Sequence, residues 1–330
     1  MPRLRINVPV AVLFALFVCI AMSSGGCGKT GDSGSPAGKL RIAVIPKGAT
    51  HAYWISVKAG AEKAGQDKGV EIVWKAPPTE GDAGSQIGIV EDLVAQGVSG
   101  ICLAPVDENV LIDPVQAAAQ KKIPVLIFDS ALKGQVGKDF ISLVATDNRK
   151  AGDIAGEELA RTLGNKGKVV LLRYMVGHAS TTDRETGFLD AMARHPDIQI
   201  IQKEHYAGDT ADKAQTASME MADQLKQADG VFAPNESSTE GMLNALTSLG
   251  LVGKIKFVGF DATPALIEGL EKDQIQALVT QDPQKMGYEA VSVMVDFING
   301  KKAPEVEDTG SALVTKQNLN DPAIKKMIGP

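Results

Sequence analysis

The chain has 330 residues, of which 44% are apolar and 22% charged, with a formal net charge of −6. That length exceeds one average domain and suits two. The composition is that of a globular protein, and the absence of any concentrated basic stretch excludes a nucleic-acid footprint.

Arg3 and Arg5 precede an apolar run from Val8 to Met22, then the small residues Ser23 to Gly26, then Cys27. The run is too short to span a bilayer comfortably, and the order of charge, apolar stretch and small residues is that of a secretory signal. Residues 1–26 are therefore expected to be a signal peptide, and 27–38, rich in Gly and Ser with Pro36, a flexible tether. Cys19 falls in the signal, which leaves Cys102 as the one thiol of the folded region, so no disulfide framework supports it. Within a continuous apolar strand Cys102 reads as a small core residue.

From Leu40 the pattern is regular. Short apolar strands at Leu40–Ile45, Val70–Trp74, Gly100–Ala104, Pro124–Phe128 and Ile141–Ala145 alternate with helical periodicities at Tyr53–Lys68, Ala83–Gln96 and Asp113–Lys121. Asp147-Asn-Arg-Lys150 interrupts the series, and a second set follows. Its helices are predicted at Ala151–Leu163, Arg184–Arg194, Ala211–Gln227, Ser238–Leu249, Pro264–Leu270 and Pro283–Asn299. Its strands are predicted at Lys168–Leu172, Ile198–Gln202, Gly230–Ala233, Ile255–Phe260, Ile275–Val279 and Ser311–Val314. The fold class is α/β, with two similar doubly wound parallel-sheet lobes and a ligand cleft between them.

The halves echo each other. Gly100-Ile-Cys-Leu-Ala-Pro105 followed by Ile127-Phe-Asp129 parallels Gly230-Val-Phe-Ala-Pro234 followed by Gly259-Phe-Asp261. Each Asp is a bare acceptor at the carboxyl end of a strand, where open parallel sheets bind ligands. Around them the strand ends and following loops supply Lys47, Tyr53, Trp54, Arg184, Asn235 and Gln281. Carboxylates accept from vicinal hydroxyls, Arg and amides donate in planar pairs, and aromatic faces pack on C–H surfaces; a sugar needs that mixture. No His/Cys cluster accompanies it, so no catalytic residue, metal or cofactor is expected. A glycosidase pair of Asp129 and Asp261 is disfavoured because Arg184 and the amides should keep both carboxyls ionised, leaving no general acid.

From about Lys39 to Val314 the chain resembles the periplasmic ribose-binding protein family, the sugar-receiving components of ABC transporters. The resemblance is carried, in order, by Tyr53-Trp-Ile-Ser-Val-Lys-Ala-Gly60, Ala104-Pro105, Ile127-Phe-Asp129, Thr146-Asp-Asn148, Arg184-Glu-Thr-Gly-Phe188, Phe232-Ala-Pro-Asn235, Val258-Gly-Phe-Asp-Ala-Thr-Pro264 and Gln281-Asp-Pro283. It implies that Asp129, Arg184, Asn235, Asp261 and Gln281 occupy sugar-binding positions and that Tyr53 and Trp54 are the aromatics that sandwich the ring. It also implies three crossings between lobes, with lobe one formed by 39–146 plus 282–310 and lobe two by 147–281 plus 311–330. Cys27 after Gly26 resembles the lipidated cysteine of bacterial lipoproteins, with Ser24 in place of that family's usual Leu. The chain departs from the ribose binders at Ser130, where they have Arg, at His51, where they have Asn, and near Gly208, where they have an aromatic. Ile45-Pro-Lys47, Trp74-Lys-Ala-Pro-Pro-Thr79 and Asp129-Ser130 look instead like the autoinducer-2 and rhamnose binders, in which a first-loop Lys touches ligand.

The implied function is a monomeric, extracytoplasmic solute-binding protein, lipid-anchored through Cys27. It closes on a monosaccharide (pentose, hexose or deoxysugar) and delivers it to an ABC permease. The alternative is a sugar or autoinducer-2 sensor that presents ligand to a receptor kinase or chemoreceptor. Plainer readings stand beside the site residues: Asp129 and Asp261 as helix N-caps, Tyr53 or Trp54 as core, Lys47 and His51 as solvated loop residues. Arg184, expected at a helix start where the dipole disfavours a cation, favours a ligand role. Asp147 and Asp282 read as caps of the helices beside the crossings.

Overall fold

The computed structural model describes residues 39–328; the signal, tether and Cys27 expectations lie outside them. The first half alternates β1 (Arg41–Ile45), α1 (Ala52–Lys68), β2 (Glu71–Trp74), α2 (Ala83–Ala95), β3 (Gly100–Leu103), α3 (Ile112–Gln120), β4 (Val125–Phe128) and β5 (Leu143–Ala145). The second runs through α4 (Asn148–Leu163), β6 (Gly167–Arg173), α5 (Ala179–Ala193), β7 (Ile198–Tyr206), α6 (Ala211–Glu220), α7 (Ala222–Leu225) and β8 (Gly230–Phe232). It continues with α8 (Glu236–Ser248), β9 (Lys256–Phe260), α9 (Pro264–Glu271), β10 (Ala277–Gln281), α10 (Pro283–Ile298), β11 (Val306–Asp308), β12 (Ser311–Val314) and α11 (Pro322–Ile328).

Two six-stranded sheets result, ordered β11-β5-β4-β3-β1-β2 and β12-β10-β9-β8-β6-β7. Every pairing is parallel except β10 with β12. The strand order reverses beside β1 in the first sheet and beside β6 in the second, which places a crevice at the carboxyl end of each sheet. Both faces of both sheets are covered. In β1, Ile42 and Val44 enter the layer of α1 and α10, while Ala43 and Ile45 enter that of α2 and α3. Alternation into two apolar layers is why these strands read as unbroken hydrophobic runs. Cys102 lies in the α1/α10 layer, its Sγ donating to Ala290 O at 3.4 Å, and burial pushes its thiol well above the ordinary value, as suits a core residue.

The lobes share one packing device. A Cβ at Gly60 would lie 1.9 Å from Gln284 O, and one at Gly287 would lie 2.0 Å from Val57 O, so α1 and α10 cross with backbones in contact. In the other lobe Gly152 meets Arg184 O and Gly187 meets Arg149 O, both at 1.9 Å, bringing α4 onto α5 in the same way.

Some elements differ from the sequence expectation. The helix expected from Ala211 to Gln227 breaks at Met221, and the strand from Ile198 continues to Tyr206. The three-residue edge strand β11 and the terminal helix α11 are additional, too short for periodicity to announce. The helix expected at Arg184 begins instead at Ala179, so Arg184 stands in its interior and the dipole argument for its role fails. Among the described residues no helix is long and apolar enough to cross a membrane.

Candidate functional site

All eight expected residues line one small cavity of about 30 Å³ between the sheets' carboxyl ends: Lys47, Tyr53, Trp54 and Asp129 from one side, Arg184, Asn235, Asp261 and Gln281 from the other. His51, Glu80, Ser180, Thr181 and Glu236 complete the lining.

The two Asp residues leave their strands in the same unusual conformation, Asp129 at φ 64° and Asp261 at φ 66°. Asp tolerates this left-handed region better than most residues, and it turns each carboxylate off the strand axis. Neither is the N-cap residue of a helix that follows its own strand. The cap of α9 is Thr263, whose side chain accepts from Leu266 N, so the N-cap reading of Asp261 is excluded. Asp261 Oδ2 accepts from Glu236 N at 2.9 Å and Oδ1 from Gln281 Nε2 at 3.0 Å. Burial pushes its carboxyl above the ordinary value against the pull of Arg184, Gln281 and the Glu236 N–H, so those donors do not hold it low. Asp129 Oδ2 forms a buried ion pair with Lys47 Nζ at 2.7 Å in the cavity wall.

Lys47, only 3% exposed, is not a solvated loop residue. Its Nζ also donates to Ser180 Oγ of the opposite lobe at 2.9 Å. Arg184 is held from three sides: Nε donates to Asn148 Oδ1 at 2.8 Å, Nη1 donates to Pro234 O at 3.0 Å, and Cζ lies 3.8 Å from the Phe260 ring centroid. Asn235 caps α8, its Oδ1 accepting from Ser238 N at 3.3 Å, so it has a structural duty at the cavity wall. Gln281 ends β10.

Tyr53 and Trp54 stand edge to face, ring centroids 4.9 Å apart at 82°, so their planes are not parallel walls of one slot. Trp54 is core on one side, edge-on to Phe128 at 6.3 Å, and polar on the other, its Nε1 donating to Glu80 Oε1 at 2.7 Å. Tyr53 directs its hydroxyl to Met286 Sδ at 3.1 Å.

Sequence reasoning missed Glu80, Ser180, Thr181 and Glu236. Glu80 lies in the irregular loop after β2, and burial opposes its charge. His51, and Lys47 beyond it, nevertheless hold the carboxyl well below the usual carboxylate range. Glu236 looks like an ordinary first-turn acid of its own helix. Instead it reaches the other lobe and accepts Ala52 N at 2.8 Å and Tyr53 N at 2.9 Å, the open donors at the start of α1. Burial pushes its carboxyl up to about 7 despite His51 and those two N–H groups.

The chain passes between the sheets at Ala145–Asn148, Gln281–Pro283 and Asp308–Ser311. Asp147 caps α4 through Lys150 N and Asp282 caps α10 through Lys285 N. Thr146 Oγ1 ties the three passages together, 3.1 Å from Gln281 Oε1, 3.3 Å from Gly310 O and 3.4 Å from Thr309 Oγ1.

Residues 42–302 match the model of the periplasmic binding protein domain. The chain belongs to that family. Periplasmic binding proteins of this class are components of ABC importers, and their solved structures share this two-lobed α/β architecture. A sugar-transport periplasmic component from Hahella chejuensis superposes with TM-score 0.80 at 36% identity, covering 83% of this chain and 99% of the other. A carbohydrate solute-binding protein from Agrobacterium radiobacter, in complex with D-arabinose, superposes at 0.84 with 32% identity, covering 89% and 100%. The ribose import binding protein of Bacillus subtilis is 27% identical over 310 residues, 92% of this chain and 96% of that protein.

Proposed function

We propose that this periplasmic binding protein captures a monosaccharide and hands it to an ABC permease. The observation that carries the reading is the opposition of Asp129 and Asp261 across one small cavity. Each comes from a different lobe, with cationic and amide donors beside it. A pyranose or furanose ring presents vicinal hydroxyls to such acceptors and leaves the buried groups unpaired when a hydroxyl is missing, which is how the site selects. Relatives named for ribose and allose, and structures bound to D-arabinose and D-fucose, support a pentose, hexose or deoxysugar as ligand. The eight lining residues expected from the sequence are the proposed ligand contacts, with Asp261 the principal hydroxyl acceptor of lobe two and Asp129 that of lobe one.

Capture works by hinge closure of lobe one (39–146 plus 282–310) on lobe two (147–281 plus 311–330) about the three passages that meet at Thr146. In this reading the protein is a receptor, not an enzyme. It acts as a monomer in the periplasm, held to the membrane by lipid on Cys27. Detergent partitioning of wild type and Cys27→Ala tests the anchor, which is lost if both stay in the aqueous phase.

Thermal unfolding against a panel of pentoses, hexoses, deoxysugars and polyols tests the ligand class. A ligand that binds only the folded chain raises the midpoint, by about 2.7 kcal/mol of stabilisation at a hundredfold excess over Kd. A panel with no shift overturns the reading.

A further inference from the structure

The contacts between the lobes converge on a side chain that hydroxyl binding does not use. His51 precedes α1 and is 7% exposed. Its Nδ1 lies 2.8 Å from Glu80 Oε1 in its own lobe, and its Nε2 lies 3.2 Å from the Asp209 carbonyl oxygen in the other. A carboxylate oxygen and a main-chain carbonyl both only accept. A neutral imidazole has one N–H and would turn a lone pair toward one of these acceptors in a buried place, where the unmade bond costs most. Glu80 does not supply the missing proton, because Oε1 already accepts from Trp54 Nε1 at 2.7 Å and Oε2 from Tyr174 Oη at 3.0 Å.

We propose that His51 is a doubly protonated imidazolium that fastens one lobe to the other and positions the Glu80–Trp54 wall of the sugar cavity. Both ring nitrogens are occupied by protein acceptors, so His51 keeps no donor for a sugar; it is a positioning residue, acting through Glu80 on Trp54. Glu80 in turn joins Trp54 of lobe one to Tyr174 of lobe two, so a single cation orders both sides of the wall.

The surrounding charges agree. From the loop after β2 comes Glu80 and from the start of α8 Glu236, both acidic; the loop after β7 brings Asp209, whose carboxylate pairs with Lys213 at 2.5 Å. The loop after β1 brings Lys47, paired to Asp129, and the segment before α5 brings His178, which burial, helped by Lys47, pushes down to about 4 and so keeps neutral. Burial pulls His51 down as well, but Glu80, then Glu236 and the Asp209 carbonyl, raise it to about 9. A folded-state value above the ordinary 6.5 means that the contribution is complete below pH 6.5 and is lost as pH rises through 9.

The inference rests on the sugar-site reading only in calling this wall part of a sugar cavity, and the test uses the full chain with no sugar, so the two can fail separately. Histidine and tryptophan are labelled with ¹⁵N; the chain has four His and two Trp, and Trp74→Phe identifies the Trp54 indole. At pH 8 both ring nitrogens of His51 should resonate as protonated, with a titration midpoint near 9, while His178 stays neutral. The Trp54 indole N–H should move with the midpoint of His51. Glu80→Gln should lower the His51 midpoint, because burial then acts with its main opponent removed. A neutral His51 at pH 8, a Trp54 resonance indifferent to that titration, or an unchanged midpoint in Glu80→Gln overturns the proposal. These readouts need no His51 variant, so they decide even if His51→Gln fails to fold.

Discussion

The two Phe-Asp strand ends are alike in sequence and backbone and opposite in electrostatics. Phe128 and Phe260 are both fully buried, and Asp129 and Asp261 turn off their strands at nearly the same φ. Yet Phe128 supports an aromatic, Trp54, whereas Phe260 lies under a cation, Arg184. Asp129 is matched by a full charge on Lys47, whereas Asp261 is matched by the Gln281 amide and the Glu236 N–H, with Arg184 nearby. A repeated local pattern thus delivers two carboxylates to one cavity, and the elements around each decide whether it is neutralised by a salt bridge or solvated by dipoles. The first kind is sensitive to losing its partner, the second to losing its hydrogen-bond geometry.

The symmetry of the two scaffolds breaks first under bulk. Gly287→Val and Gly187→Val each drive a side chain into a backbone carbonyl of the facing helix. Both should cost about 3 kcal/mol or more, the upper end of overpacking, read by urea unfolding. If one lobe tolerates the change, the helix pairs are not equivalent. Next, Asp129→Asn leaves Lys47 buried without its counter-ion and should destabilise by about 3–5 kcal/mol, with Lys47→Met in the same chain recovering most of it. Asp261→Asn strands no neighbouring cation of its own. It turns an amide N–H toward one of the two donors on Asp261, Glu236 N or Gln281 Nε2, and should cost about 1–3 kcal/mol, less than Asp129→Asn, while weakening the best sugar of the panel by about 10- to 100-fold, the worth of a bond or two to a charged group. Equal stability losses in both Asn variants would erase the distinction drawn here.

A pH-dependent effect is set by Glu236. Its folded-state value of about 7 exceeds the ordinary 4.5, so the unfolded chain gives up this proton first. Stability therefore falls as pH rises from 4.5 through 7 and is level beyond, and Glu236→Gln should flatten that part of the profile in equilibrium unfolding. An unchanged profile places the titration elsewhere. The smallest change belongs to the exposed α9 pair Lys272–Glu268, where Lys272→Ala should move neither the midpoint nor sugar affinity.

Much of this was written locally. The alternation of apolar strands with helical periods, the Asp caps at the passages and the paired Phe-Asp ends depend on neighbours within a few residues. The corresponding side chains do meet at one cavity. The unread part is long-range. Glu80, from an irregular loop, becomes a hub because His51 and Trp54 at the start of α1 and Tyr174 after β6 arrive from two other segments. Glu236 carries every mark of serving its own helix and serves α1 of the other lobe instead. Arg184 does line the cavity, but the helix-start argument offered for it fails, because its helix begins five residues earlier at Ala179.

Sequence alone determined the α/β alternation, the duplicated strand ends and the type of chemistry they present, because hydrophobic period and strand termination are properties of a few consecutive residues. Tertiary structure alone decided which charges neutralise one another and which wait for a ligand. Lys47 meets Asp129 across 82 positions within one lobe and His51 meets Asp209 across 158 between lobes, as the residue numbers show, and only the folded chain brings such groups within reach of one another.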